Sequence, residues 1–213
     1  YFEITVLYYN PNTWPAEEYY RRGEELKKFV AQAHPLGVTV IEDHYDPQEF
    51  YTAVQGLENE PERGGRCTVC YRLRMRRAAQ YAKEHGFDWF TTTLSISPHK
   101  DAARINQIGQ ELEAEFGIRH LPSDFKKQNG YLRSLQLSEE YGLYRQDYCG
   151  CEFSAKARAC LFCRERRHCE AMTEKFTPPA FWTPELQRRS APRRARCWLP
   201  YQQQDRHFQL PCR

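Results

Sequence analysis

The chain has 213 residues, with 31 Lys and Arg, 28 Asp and Glu, and nine cysteines, enough for one good core and an appendage. No apolar run approaches the length that spans a membrane. With no secretory signal in view, an odd number of cysteines in short spacings argues for metal or redox chemistry in a reducing cytosol rather than a disulfide framework. The net charge of +3 hides a split: residues 1–155 carry 18 basic and 23 acidic side chains, a net of −5, and residues 156–213 carry 13 and 5, a net of +8. Nucleic-acid contact by the front part must therefore rest on local patches.

Phe2 to Leu7 reads as the interior of a strand, and the sequence opens on Tyr1, so an N-terminally truncated sequence is expected. Residues 3–9 form the first strand, broken by Asn10-Pro11-Asn12-Thr13-Trp14-Pro15. Ala16 to about Ala33 is helical, with Tyr20, Leu26, Phe29 and Val30 as its apolar stripe. Gly37 to Ile41 opens a second strand, and Pro47 to Val54 forms a short helix. After a polar loop from Asn59 to Gly65, a long helix starts at Cys67. Tyr71, Met75, Ala78 and Ala82 mark its inner side, and Gly86 stops it.

Trp89 to Leu94 is rich in β-formers and predicts a third strand. A helix from Asp101 to Phe116 turns Ile105, Ile108, Leu112 and Phe116 inward. Gly117 to Pro122 gives a fourth strand, and Tyr131 to about Tyr141 a further helix stopped by Gly142. Alternating strands and helices imply an α/β domain with a mostly parallel sheet and helices on both faces. In such sheets ligands bind beyond the carboxyl ends of strands. The Asn10–Asn12 turn, the loop after Leu94 and the loop before Cys67 could meet there in one crevice. The domain is expected to span 1–155. Residues 156–213, rich in Cys, Pro and Arg, read as a basic, irregular and partly disordered extension.

Cys67-Thr68-Val69-Cys70 places two thiols on one helical face. A helix N-terminus and nearby arginines favour the thiolate, the form that binds metal. An iron–sulfur cluster and zinc both suit such ligands. Cys149-Gly150-Cys151 suits a reversible dithiol–disulfide relay, or two ligands on one metal, because so small a disulfide ring is strained. Arg72, Arg74, Arg76, Arg77 and Lys83 could meet phosphates or form a solvated face paired with glutamates. Cys160, Cys163 and Cys169, with His168 near, resemble half a zinc knuckle.

Four stretches in register, Tyr9-Asn10-Pro11-Asn12, Arg66-Cys67-Thr68-Val69-Cys70, Phe90 to Lys100 (Phe-Thr-Thr-Thr-Leu-Ser-Ile-Ser-Pro-His-Lys) and Tyr144 to Cys151 (Tyr-Arg-Gln-Asp-Tyr-Cys-Gly-Cys), resemble the QueH family of epoxyqueuosine reductases. The resemblance covers roughly residues 1–155. It implies a HUP-type, PP-loop-related α/β fold whose first strand and helix are missing here. It also implies reduction of epoxyqueuosine to queuosine at the wobble position of tRNA, without cobalamin, in the cytoplasm.

By resemblance, Cys67 and Cys70 would be two ligands of a four-iron four-sulfur cluster, and Cys149 and Cys151 the redox-active pair. The family's other two ligands sit in a Cys-Cys-Ala-Pro-Cys motif that this chain does not show. An additional mononuclear metal ion could hold the departing oxygen, and the electron donor is unknown. The tRNA nucleotide would be presented in an unpaired loop, with Tyr144, Arg145 and Tyr148 as candidates for stacking. The alternatives are an ATP-dependent, PP-loop-type tRNA-modifying enzyme resembling a thiolase, and a zinc-stabilised RNA-binding module.

Overall fold

The structure is a computed structural model, and it describes residues 2–34 and 37–159. Cys160, Cys163, Cys169 and the basic extension beyond them lie outside the described residues. Among the described residues no helix is long and apolar enough to cross a membrane.

The elements alternate as the sequence predicts. Strand β1 (Ile4–Tyr8) leads to helix α1 (Ala16–Ala33), and β2 (Val38–Glu42) returns parallel to β1, Ile4 opposite Val38 and Tyr8 opposite Glu42. Helix α2 (Pro47–Ala53) starts on Asp46, whose carboxylate accepts the Gln48 N–H, an ordinary acidic cap. The long helix α3 (Gly65–Glu84) follows. Strand β3 (Trp89–Phe90), helix α4 (Ala102–Phe116) and strand β4 (Arg119–His120) make a second parallel unit, with Phe90 opposite His120. Helix α5 (Gly130–Glu140) follows, and residues 152–159 are again helical. The architecture is mixed α/β with parallel strands. Among the described residues, however, the strands pair two by two, β1 with β2 and β3 with β4.

Three local readings need correction. The third strand ends at Phe90, and Thr93–Ile96 turns into a 3-10 helix. The threonine hydroxyls explain this. Thr92 Oγ1 accepts the Leu94 N–H and Thr91 Oγ1 donates to the Leu121 carbonyl, so side chains compete with a ladder. On α1, Tyr19 is buried and Tyr20 is 56% exposed. Tyr19 stacks on Tyr45, with ring centres 4.1 Å apart, and packs against Tyr8. The aromatic neighbours rotate the helix face by one residue. Helix α3 begins at Gly65 rather than Cys67, because Glu60 Oε2 accepts the Gly65 N–H at 3.0 Å and caps the extra turn.

Helix α3 is buried along two sides. Cys67, Tyr71, Met75, Ala79 and Ala82 pack with Ile105, Ile108 and Leu112 of α4 and with Phe90 and Ile118. Val69, Cys70 and Leu73 pack toward Phe50 and Val54 by α2 and toward Cys149, Cys151 and Phe153. The two cysteines of α3 thus belong to different hydrophobic clusters and sit at the seam between them.

Gly109 marks the tightest approach in the first cluster. A methyl there would overlap the imidazole of His120, which is 3% exposed and whose ring nitrogens have no hydrogen-bond partner. Gly109→Ala is expected to destabilise the domain by about 1–3 kcal/mol through overpacking. Urea unfolding should show a lower midpoint with an unchanged slope; an unshifted midpoint would mean that the imidazole moves freely aside.

Candidate active site

The start of α3 is held by a buried cation. Arg66 is 5% exposed, and its guanidinium donates to the carbonyls of Leu57, Glu58 and Glu60 at 3.3, 2.8 and 2.6 Å. Its flat face lies 4.4 Å from the ring centre of Phe153, two residues beyond Cys151. Arg63 adopts a left-handed backbone, with φ of 73°. Its N–H points at Cys67 Sγ, 3.2 Å away. One loop therefore caps the helix, orients one thiol and braces the second cysteine pair.

That second pair is positioned from the other side by the turn after β1. The Trp14 N–H donates to the Gly150 carbonyl at 2.8 Å, the Tyr148 hydroxyl donates to the Trp14 carbonyl at 2.6 Å, and Arg22 reaches the Cys149 carbonyl at 3.5 Å. Gly150 has φ of 117°, and a Cβ there would meet Arg22, Asn12 and Thr13. Both the left-handed backbone and the close approach require glycine.

The four cysteines expected to carry the chemistry line one narrow cleft of about 20 Å³, together with Asn12, Arg74 and Lys100. Two of the three loops expected at the crevice, the Asn10–Asn12 turn and the loop after Leu94, contribute Asn12 and Lys100. The third, before Cys67, holds α3 in place through Arg63. All four cysteines are free thiols.

The two pairs differ in electrostatics. Burial pushes the Cys70 thiol up to about 11, overriding the opposing pull of Arg74. This corrects the expectation of a ready thiolate at that position: desolvation outweighs the helix terminus and its arginines. Cys149 and Cys151 have sulfurs 3.4 Å apart. The hydrogen bond shared with Cys151, followed by the charge of Lys100, draws the Cys149 thiol down against the effect of burial. Cys151 is raised, first by that same hydrogen bond and then by burial. The two sulfurs titrate as a unit and share one proton between them, with the lowered side of the pair at Cys149.

The donor chemistry fits metal ligation in part. Cys67 and Cys70 present two unpaired thiols one helical turn apart, and Asn12 Oδ1 is buried beside them without a hydrogen-bond partner. Among the described residues no group of three or more Cys, His, Asp or Glu is arranged to hold a metal ion, so α3 offers two ligands of a larger set.

Other expectations meet internal partners. Arg72, Arg76 and Arg77 pair with Glu111, Glu115 and Asp43, which favours a paired helix face over phosphate contact. Tyr144 lies under Arg21, 3.6 Å from ring centre to guanidinium, and its hydroxyl donates to Glu18. Arg145 donates to Ser138 Oγ and the Ser134 carbonyl. The Asn10–Asn12 turn is expected at the crevice and Arg66 stands in the motif around Cys67, but the anchoring roles of Arg66 and Arg63 escape the sequence reading. Only the glycines and prolines around them mark the turns that bury them.

Residues 1–157 match the family described as Epoxyqueuosine reductase QueH. The chain is 46% identical over 157 residues to the epoxyqueuosine reductase QueH of Streptococcus pyogenes serotype M1, covering 72% of this chain and 62% of that protein. It is 36% identical over 181 residues to the protein of the same name from Staphylococcus epidermidis, covering 83% and 76%. For the one from Thermotoga maritima the identity is 36% over 171 residues, covering 79% and 84%. The chain spans less than two thirds of the length of the streptococcal relative. It belongs to the QueH family.

The asymmetry of the second pair has a direct readout. Iodoacetamide labelling of Cys149, followed by peptide mass spectrometry, should rise through a midpoint below the ordinary thiol range, because the thiolate is the reacting form. Cys151→Ala removes the hydrogen bond and should move the midpoint up toward the ordinary thiol range. A midpoint unmoved by that substitution would show that Cys151 does not set it.

Proposed function

We propose that the chain reduces epoxyqueuosine to queuosine at the wobble position of tRNA, as a cytoplasmic enzyme that needs no cobalamin and is built on a HUP-type domain at residues 1–155. The observation that carries this reading is the convergence of Cys67 and Cys70 with Cys149 and Cys151 on one cleft, added to membership of a family named for that reaction. Removing an epoxide oxygen as water takes two electrons and two protons. Oxidation of the Cys149–Cys151 dithiol to a disulfide releases two electrons and two protons, so the step balances as epoxide plus dithiol giving alkene, disulfide and water. An external reductant must then restore the dithiol.

Cys67 and Cys70 would hold two corners of a four-iron four-sulfur cluster, whose remaining ligands are not among the described residues. When bound, such a cluster supplies one-electron transfers. The chain's own residues do the rest. Arg63 orients Cys67 through its N–H, Gly150 lets the turn after β1 close on the dithiol, and the flanking apolar side chains Phe50 and Tyr71 limit water at the cleft. The Cys149 thiolate is the group poised to form the first bond to sulfur, with the Cys151 thiol holding a proton for the departing oxygen.

The test is nucleoside mass spectrometry after incubating the full chain with reductant and tRNA carrying epoxyqueuosine, alongside metal analysis. Queuosine should form. Cys149→Ser and Cys151→Ser should each lower turnover by about a hundredfold or more while bound iron stays constant. Cys67→Ser and Cys70→Ser should lose iron and turnover together. Zinc without iron, or turnover retained in Cys151→Ser, would overturn the reading.

A further inference from the structure

The arginines of α3 that point outward are largely neutralised by carboxylates, and Arg66 and Arg74 line the cysteine cleft itself; a further source of positive charge lies outside that cleft. It lies at a second cavity, of about 550 Å³, within the range of nucleotide-sized sites. Arg63, Lys100, Arg104 and Lys126 line it, with Asp101 and Asp124 as the acidic members. Lys126 is paired with Asp124 at 2.6 Å, and Arg104 lies 3.7 Å from Asp101. Lys100 and Arg63 have no carboxylate within 4 Å among the described residues.

The two arginines are nonetheless fixed. Arg63 donates to the carbonyls of Pro98 and His99 at 3.2 and 3.1 Å. Arg104 donates to the Arg63 carbonyl at 2.9 Å and to Thr68 Oγ1 at 2.8 Å. Neutral acceptors hold both guanidinium groups in place, and at Arg63 they do so without cancelling the charge, which is the condition for a preorganised anion site. Tyr71 and Lys100 belong to both this cavity and the cysteine cleft, so whatever fills the cavity touches the wall of the cleft.

We propose that this cavity binds a phosphodiester of single-stranded RNA flanking the nucleotide presented at the cysteine cleft, with Lys100 and Arg63 as its principal contacts. The inference rests on the reductase reading and names the part of the substrate that this neighbouring cavity takes. It also explains how a domain whose residues 1–155 carry a net charge of −5 holds a polyanion: the attraction is local.

The experiment is binding of the full chain to a fluorescently labelled RNA anticodon stem-loop, with guanine at the wobble position, measured by anisotropy across a range of salt concentrations. Each phosphate contact contributes about 0.7 to the slope of log affinity against log salt for single strands. Lys100→Gln should weaken binding about three- to tenfold and flatten the slope by about one contact, and Lys100→Arg should restore both. Lys83→Gln is the control. It lies in the last turn of α3, about 25 Å along the helix from Arg66 at 1.5 Å per residue, and should leave both quantities unchanged. A Lys100→Gln slope equal to that of the wild type, or an equal loss in the Lys83→Gln variant, would overturn the phosphate site while leaving the reductase reading intact. Failure of the wild-type chain to bind the stem-loop at all would overturn both.

Discussion

A guanidinium buried without a carboxylate partner is the constraint on which the rest of the site depends. Taking a cation out of water is costly unless its hydrogen bonds are met. Arg66 offsets part of that cost by placing Nη1 against three carbonyls of the turn at residues 57–60 and its face on Phe153, while its Nε stays buried without a partner. Those carbonyls point inward only if the turn folds back under α3, and the same turn delivers the Glu60 carboxylate to the helix N-terminus. The helix thus starts where Cys67 and Cys70 face inward, and Phe153 brings Cys151 against the same helix. Satisfying one charge fixes both cysteine pairs.

The second support comes from a chain segment remote in sequence. Residues 12–14 follow β1, and residues 148–150 precede the last described helical turns, yet they are joined by the Trp14–Gly150 and Tyr148–Trp14 hydrogen bonds. A β-carbon at position 150 would intrude on this junction. The dithiol is therefore clamped between the end of one strand and the start of one helix. Its two sulfurs are held within hydrogen-bond distance of each other while the surrounding backbone is already satisfied.

Much of this order is legible in the sequence. The 3.6-residue spacing of Ile105, Ile108 and Leu112 gives α4 and its inner face, because that stripe packs directly on α3. The glycine at 86 and the asparagine–glycine at 129–130 bound their helices for reasons of backbone conformation alone. The strand expected at 89–94 stops at Phe90, where the Thr92 hydroxyl bonds locally to the Leu94 N–H and the Thr91 hydroxyl donates to the Leu121 carbonyl, which β-propensity does not register. Tyr19 replaces Tyr20 in the core because Tyr8 and Tyr45 wait on that side, and no pattern internal to the helix contains that information. The site divides the same way. Cysteine spacing singles out Cys67, Cys70, Cys149 and Cys151, since thiols are rare and their chemistry is narrow. Arg66 and Arg63 look like any other basic residue until the turn that buries one and bends the other is seen.

The contrast between the two cysteine pairs follows from a competition between desolvation and local hydrogen bonding. Cys70 has no donor to its sulfur among the described hydrogen bonds, so burial decides and the thiol stays protonated. Cys149 is also well buried, but it shares a hydrogen bond with the sulfur two residues away and Lys100 stands nearby, so the same desolvation is overcome. Ionisation at Cys70 then requires positive charge brought from outside, as a metal would bring, whereas ionisation at Cys149 is built into the chain. Equal burial with unequal hydrogen bonding thus separates a ligand pair from a redox pair within one cleft. It also places Lys100, the cation shared by the cleft and the larger cavity, where a single charge acts on the thiolate and faces the entrance together.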